Sequence, residues 1–169
     1  LVEKISKSLE KLPATAPAHA ARPKTRPISG LEVLAIEKDV RSTAISMGFP
    51  IDVTRADPDF YALMVANSHL GEHRTMNGVL MNRMREVRGL NYGDYSYIEH
   101  FVQEGGSAFP QTNHPRSEQY FSIWIRPVQP QHRHFAMRLA LFELDRLVRE
   151  GMTPEQFEEA RAFVKNYSQ

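Results

Sequence analysis

The sequence predicts an α+β domain of two layers, in which a mostly antiparallel sheet carries helices packed on one face. Strand patterns and helix patterns come in pairs along the chain, in the order β-β-α-α-β-β-α-α after a leading helix. Paired elements of this kind favour helices layered on an antiparallel sheet. The chain has 169 residues, of which 41% are hydrophobic and 24% charged. It is therefore long enough to bury the core of one ordinary domain.

Composition excludes several classes of function. The chain has no cysteine, so disulfide bonds, thiolate zinc sites and cysteine nucleophiles are ruled out. Its formal net charge is +1, which argues against a protein whose main task is to neutralise phosphates. No apolar run approaches the roughly 20 residues that a membrane span needs. We therefore expect neither a nucleic-acid partner nor a membrane span.

The chain opens with a helical pattern followed by a linker-like stretch. Apolar residues recur at helical spacing on one stripe, which consists of Val2, Ile5, Leu9 and Leu12. Four prolines lie among small and basic residues in the range 13–29, a composition typical of an extended connector. We therefore interpret residues 1–29 as a leading helix with its connector and residues 30–169 as a single α+β domain.

Four strands and four helices are predicted in the rest of the chain. The predicted strands are Leu31–Ile36, Thr43–Ile51, Tyr92–Phe101 and Tyr120–Ile125. The first two are neighbours in sequence, which suggests that they pair antiparallel. The predicted helices are 57–70, 77–87, 131–150 and 153–164, with Gly71, Gly89 and Gly151 as stop signals. Gly105 and Gly106 predict a turn.

One segment is more specific than these patterns. Residues 85–92 read Arg-Glu-Val-Arg-Gly-Leu-Asn-Tyr, and Leu70-Gly71 lies ahead of them. This run resembles the Arg-Glu-x-x-Gly-Leu-x-Tyr segment of the second, non-catalytic half-domain of insulinase/pitrilysin-like zinc metallopeptidases. The strand ending in Gly48-Phe49-Pro50 and the segment 150–157 are similar to the start and the end of that half-domain. The resemblance therefore covers nearly the whole chain.

The resemblance implies a fold, a role and partners. It implies a two-layer α+β unit that encloses a peptide substrate, bound as an added strand, for hydrolysis by zinc in a catalytic partner half-domain. It implies no cofactor or metal in this half, and a periplasmic or secreted location rests on the resemblance alone.

The Arg–Tyr pair of the second half maps onto Arg85 and Tyr92, which we expect to contact substrate and transition state as accessory catalytic residues. A guanidinium and a phenol suit this role because the peptide carbonyl oxygen gains negative charge during hydrolysis. Taken alone, the two residues would fit a surface ion pair and a packed strand position.

A second motif points to a different function. His69-Leu70-Gly71-Glu72-His73 reads H-x-x-E-H, which in this family's catalytic half supplies two histidine ligands and a glutamate base. Glu150 follows at a spacing that the family uses for a further ligand. Because Gly71 interrupts the helix that must align the two histidines, we interpret the segment as a helix end. Two alternatives stay open: a self-sufficient zinc hydrolase using His69, Glu72, His73 and Glu150, and a subunit without catalysis that is structural or binds peptides.

Aromatic residues are concentrated in the last two predicted strands. Tyr92, Tyr95, Tyr97 and Trp124 could line a peptide groove. Aromatic side chains in strands more often belong to the core, so both interpretations are carried to the structure.

Overall fold

The computed structural model describes residues 2–13, 26–73, 75–101 and 118–167. Its helices there are α1 (Val2–Leu9), α2 (Pro58–Gly71), α3 (Val79–Met81), α4 (Arg133–Glu150) and α5 (Pro154–Tyr167). Its strands are β1 (Thr43–Ile51), β2 (Asp94–Tyr97) and β3 (Gln119–Val128). A π-helical turn, Asn82–Glu86, continues α3, and a 3-10 turn, Pro130–His132, precedes α4. The predicted α+β class is confirmed.

The described strands form one antiparallel sheet with β3 at its centre. The strand order is β1-β3-β2, and Met47 lies opposite Ile123 while Tyr95 lies opposite Trp124. Residues that face each other across an antiparallel pair point to the same side of the sheet. One side of β3 therefore presents Ile123 and Ile125, and the other side presents Trp124.

Helices cover the side of the sheet that carries Ile123 and Ile125. The buried residues of this core are Leu70, Leu80, Met84, Ile123, Ile125, Val128, Ala136 and Ala140. They come from α2, α3, the π-helical turn, β3 and α4, so one apolar cluster joins every layer. The two alanines of α4 lie four residues apart on one helix face, where their small size lets the helix approach the sheet closely.

The predicted strand Leu31–Ile36 is wrong. This segment has no regular structure, and Leu31 and Leu34 are 90% and 87% exposed. The predicted pairing of the first two strands is wrong as well, because β1 pairs with β3 instead. A strand needs neighbours for its backbone groups and a surface for its apolar face, and this stretch has neither within the described residues. The described sheet consequently has three strands where four were predicted.

The helix boundaries agree with the sequence signals. Thr153 and Gln156 form a reciprocal capping box: the Thr153 N–H donates to Gln156 Oε1 at 2.9 Å, and the Gln156 N–H donates to Thr153 Oγ1 at 3.3 Å. Gly151 ends α4 with a φ of +72°, a conformation that other residues adopt rarely. Pro58 occupies the first position of α2, directly after Asp57.

The leading helix is confirmed, although α1 ends at Leu9 and its apolar residues are exposed. Most of the predicted connector and the Gly105–Gly106 turn lie outside the described residues. The division into segments 1–29 and 30–169 stays a prediction. Across the parts of the chain that the structure describes, none of the helices combines the length and apolarity that crossing a bilayer requires.

Truncation of Leu80 tests the position of the core. Leu80 is fully buried between the sheet and the helices, so Leu80→Ala leaves a cavity and should lower the free energy of unfolding by about 2–5 kcal/mol. Urea unfolding followed by circular dichroism measures the change. Leu141→Ala is the matched control, since Leu141 is 47% exposed on α4. Equal losses in the two variants would contradict this core.

Candidate functional site

Arg85 lies in the π-helical turn, at the point where the chain reverses direction. The Val87 N–H bonds to the Asn82 carbonyl at 3.0 Å, five residues back, as in a π-helix. Gly89, with a φ of +61°, then donates its N–H to the Arg85 carbonyl at 2.7 Å, and Leu90 donates to the Met84 carbonyl at 3.0 Å. This closure resembles a Schellman motif widened by one residue. It turns the following residues back toward Arg85.

Arg85 and Tyr92, which the sequence singled out, are in contact. The guanidinium carbon of Arg85 lies 4.4 Å from the centroid of the Tyr92 ring, a cation–π geometry. Arg85 also contacts Met76 Sδ at 3.7 Å and Glu86 Oε1 at 3.5 Å. Tyr92 is 73% exposed. The pair therefore presents a cation and a phenol at the surface, where a bound molecule could reach both.

A second group of contacts fixes the loop that carries Tyr92. The Asn91 side-chain amide donates to Asp94 Oδ1 at 2.7 Å and to the Arg126 carbonyl at 3.0 Å. The Arg126 N–H in turn donates to the Gly93 carbonyl at 3.2 Å. Tyr92 therefore sits between two neighbours that are both tied to β3. The supporting roles of Asn91 and Asp94 were not predicted from the sequence. The available signal was Asp94 itself, because an acidic residue among the aromatic residues of a predicted strand is unusual.

Asp94 is fully buried at the base of this loop. Burial raises the pKa of its carboxyl from 3.8 to about 7, because hydrogen bonds from Asn91 and from the Arg126 backbone offset the loss of solvent only in part. A carboxyl group of this kind changes charge near neutral pH. Groups with such shifts are concentrated at functional sites.

The other side of the site is fixed by ion pairs from two partly exposed arginines to one buried glutamate. Glu143 of α4 is buried and lies 3.3 Å from Arg83 Nε and 2.7 Å from Arg146 Nη2. Arg83 belongs to the π-helical turn, so the network ties this turn to α4. The backbone that carries Arg85 is thereby held against the helix layer.

The H-x-x-E-H motif does not assemble into one site. Helix α2 ends at Gly71, and Glu72 has an extended backbone with a ψ of 151°, so His73 lies outside the helix that holds His69. His69 lines a cavity of about 450 Å³ together with Glu143 and Glu150. Its pKa is lowered by burial and by the charge of Arg146. His69 and Glu150 share this cavity, and His73 does not line it.

His73 belongs instead to an aromatic cluster. It is buried, and its Nδ1 shares a hydrogen bond of 2.6 Å with the Tyr97 hydroxyl. Its ring centroid lies 4.8 Å from that of Tyr95 and 4.6 Å from that of Phe101. Burial raises the pKa of Glu72, against a hydrogen bond with Ser68 that lowers it. In the described ranges, no group of three or more metal-ligating side chains could hold an ion.

The tyrosines of the predicted groove separate into two environments. Tyr95 and Tyr97 are buried in a cluster with Met81 and Phe101, and Trp124 packs against it. Tyr95 and Tyr97 are therefore core residues and do not line an exposed peptide groove. Tyr92 alone among the four is highly exposed, so the candidate site consists of Arg85 and Tyr92 with their supporting residues.

Comparison with known families gives a direct assignment. The family model described as peptidase M16 inactive domain matches residues 1–164. The chain therefore belongs to the peptidase M16 inactive domain family. Comparison with curated proteins finds no match.

Solved structures agree with the fold. The crystal structure of a peptidase M16 inactive domain from Pseudomonas fluorescens has a TM-score of 0.59 and 23% sequence identity, over 75% of this chain and 27% of that one. A conserved protein from Enterococcus faecalis has a TM-score of 0.66 and 20% identity, over 98% of this chain and 35% of that one. The chain thus spans about a third of the length of these structures.

Replacement of Asp94 by Asn tests its buried titration. With a pKa raised to about 7, the folded chain keeps a proton that the unfolded chain releases near pH 4, so stability falls as pH rises between these values. At about 1.4 kcal/mol per pKa unit, this effect is at most about 4 kcal/mol. We expect Asp94→Asn to flatten the pH dependence of the free energy of unfolding, measured by urea denaturation from about pH 4 to pH 8.

Asp145→Asn serves as the control for this experiment, because Asp145 is an exposed carboxylate paired with Arg149 on α4. In the control, the free energy of unfolding should fall with pH between pH 4 and pH 7 as steeply as in the wild type, because Asp94 is still present. An Asp94→Asn variant that retains the full wild-type slope would show that Asp94 does not titrate in this range.

Proposed function

We propose that this chain is the non-catalytic half of a zinc-dependent metalloendopeptidase, which encloses and binds a peptide for hydrolysis by zinc in a partner half-domain. The proposal is supported by membership of the peptidase M16 inactive domain family. The observation that carries it is the exposed contact between Arg85 and Tyr92, at 4.4 Å. Two hydrogen-bond donors are thereby available side by side on a surface that the fold holds rigid.

The chemistry of peptide hydrolysis explains why such a pair is useful. The carbonyl oxygen of the cleaved bond gains negative charge in the transition state, and preorganised donors stabilise that charge more than they stabilise the substrate. The Arg85 guanidinium carries several N–H donors, and its carbon lies 4.4 Å from the centroid of the Tyr92 ring. The Tyr92 hydroxyl adds a second donor. Arg85 and Tyr92 would contact the reacting carbonyl or the peptide backbone beside it.

Zinc in this proposal belongs to the partner half and not to this chain. The residues present here do not fit a family zinc site, because His69 lies within α2 while His73 lies beyond its end and is buried among aromatic rings. Zinc held in the partner half would supply Lewis-acid chemistry. The role of this chain is to enclose the peptide and to place Arg85 and Tyr92 near the scissile bond.

The sheet offers a means of holding an extended peptide. Its order makes β1 and β2 the two edges of the described sheet. A peptide that adds as a further strand gains main-chain hydrogen bonds that do not depend on its sequence. All four residues of β2 are buried, whereas β1 has only half-buried and exposed positions, so β1 is the edge open to such a peptide within the described sheet.

Reconstitution with a zinc-loaded partner half tests the proposal. Peptidase activity should appear only on mixing, and Tyr92→Phe should lower kcat/KM by about 10²-fold, the usual cost of one oxyanion donor. Cleavage of a quenched fluorogenic peptide measures both effects. Tyr61→Phe is the matched control, since Tyr61 is also exposed and its hydroxyl bonds to the Arg55 carbonyl at 3.3 Å, away from Arg85 and Tyr92.

Two results of this assay would count against the enzyme role. Absence of activity with a competent, zinc-loaded partner would favour a structural or peptide-binding subunit. Equal losses in the Tyr92 and Tyr61 variants would remove Tyr92 from the reaction.

Metal analysis of the purified chain tests the alternative of a self-sufficient zinc hydrolase. We expect zinc well below one equivalent after dialysis, with no change in His69→Ala, because His69 and His73 lie in different surroundings. Atomic absorption or inductively coupled plasma mass spectrometry gives the ratio. Stoichiometric zinc that is lost in His69→Ala would establish the alternative.

A further inference from the structure

Tyr92 owes its position to its neighbours in the chain. It is 73% exposed, and its ring rests on Arg85. The loop that carries it begins at Gly89, whose N–H bonds to the Arg85 carbonyl, and ends at Asp94, where β2 starts. The placement of the ring therefore depends on what fixes these two ends.

The second end of the loop is fixed by Asp94. Its Oδ1 accepts the Asn91 amide at 2.7 Å, and the same amide reaches the Arg126 carbonyl at 3.0 Å. The carboxyl is fully buried, and its Oδ2 has no hydrogen-bond partner among the described residues. Burial of an acid without a paired cation is costly. The hydrogen bond from Asn91 offsets part of this cost.

The two arms of the site have separate anchors. The Arg85 arm is held by the Arg83–Glu143 contact to α4, and the Tyr92 arm is held by Asn91 and Asp94 against β3. Removal of the second anchor would free Tyr92 while leaving Arg85 in place. This separation makes the role of Asp94 testable.

We propose that Asp94 is a positioning residue, which holds Asn91 and the main chain at Arg126 so that the Tyr92 ring lies on the Arg85 guanidinium. The inference rests on the proposed function of the Arg85–Tyr92 pair. Asp94 does not face the substrate; it acts through the loop 89–93.

Ring-current shifts measure the placement of Tyr92 directly. An aromatic ring 4.4 Å from the Arg85 guanidinium shifts the Arg85 side-chain protons upfield in the NMR spectrum. Tyr92→Leu defines the value without the ring. We expect Asp94→Ala to lose most of the shift and Asp94→Asn to retain it, because an amide oxygen can still accept the hydrogen bond from Asn91.

Asn91→Ala provides a second test should Asp94→Ala fail to fold. Asn91 is half-buried, and its removal should cause the same loss of shift. Asn166→Ala, at an exposed position of α5, should leave the shift unchanged. A wild-type shift in folded Asp94→Ala or in Asn91→Ala would overturn the proposal.

Activity in the reconstituted peptidase separates this inference from the proposed function. If Asp94 acts through Tyr92, the losses in kcat/KM for Asp94→Ala and Tyr92→Phe should not add, and the double variant should be no worse than the poorer single variant. Additive losses would overturn the positioning role. The two proposals can also fail separately. If the Arg85 ring-current shift depends on Asp94 but no peptidase activity is reconstituted, the peptidase function is refuted and the positioning of Tyr92 by Asp94 stands.

Discussion

The reversal of the chain after the π-helical turn is the constraint on which the site depends. Gly89 can adopt its φ of +61° because it has no side chain, and the two hydrogen bonds to the Met84 and Arg85 carbonyls close the turn. Without this reversal, residues seven positions apart in sequence would diverge. The i→i+5 bond of the π-helical turn, from the Val87 N–H to the Asn82 carbonyl, places one more residue inside the closure. The backbone turn therefore brings Arg85 and Tyr92 together, and the contact between their side chains depends on it.

Much of the fold could be predicted because the decisive signals are local. Helix periodicity, the Thr153–Gln156 capping box and the glycine stops mark the ends of the helices within a few residues of where they lie. The sheet was harder, because a strand is defined by partners that are distant in sequence. Leu31–Ile36 has an apolar pattern and yet no partner within the described residues, whereas β3 takes the centre of the sheet although it comes last in the chain.

The candidate site likewise has residues that the sequence could predict and residues that it could not. Arg85 and Tyr92 could be singled out from a motif, and their contact is within reach of sequence reasoning since one short turn links them. The long-range contacts that hold them could not, because Asn91 meets Arg126 and Arg83 meets Glu143 only after the strands and α4 are in place. The H-x-x-E-H motif is a sequence match whose residues do not come together. Its spacing is that of a zinc site, but α2 ends at Gly71 and separates the two histidines.

Trp124 is the single tryptophan of the chain and lies half-buried on the central strand, 4.6 Å from the Tyr97 ring centroid and 6.2 Å from that of Phe101. Its intrinsic fluorescence is therefore a built-in reporter of how β2 packs on β3. Emission would register melting of that aromatic cluster before it registered a change at the half-buried Arg85. Because Trp124 is half-buried, a change in emission on addition of a peptide would report either a rearrangement of this cluster or direct contact of the peptide with the exposed part of the indole.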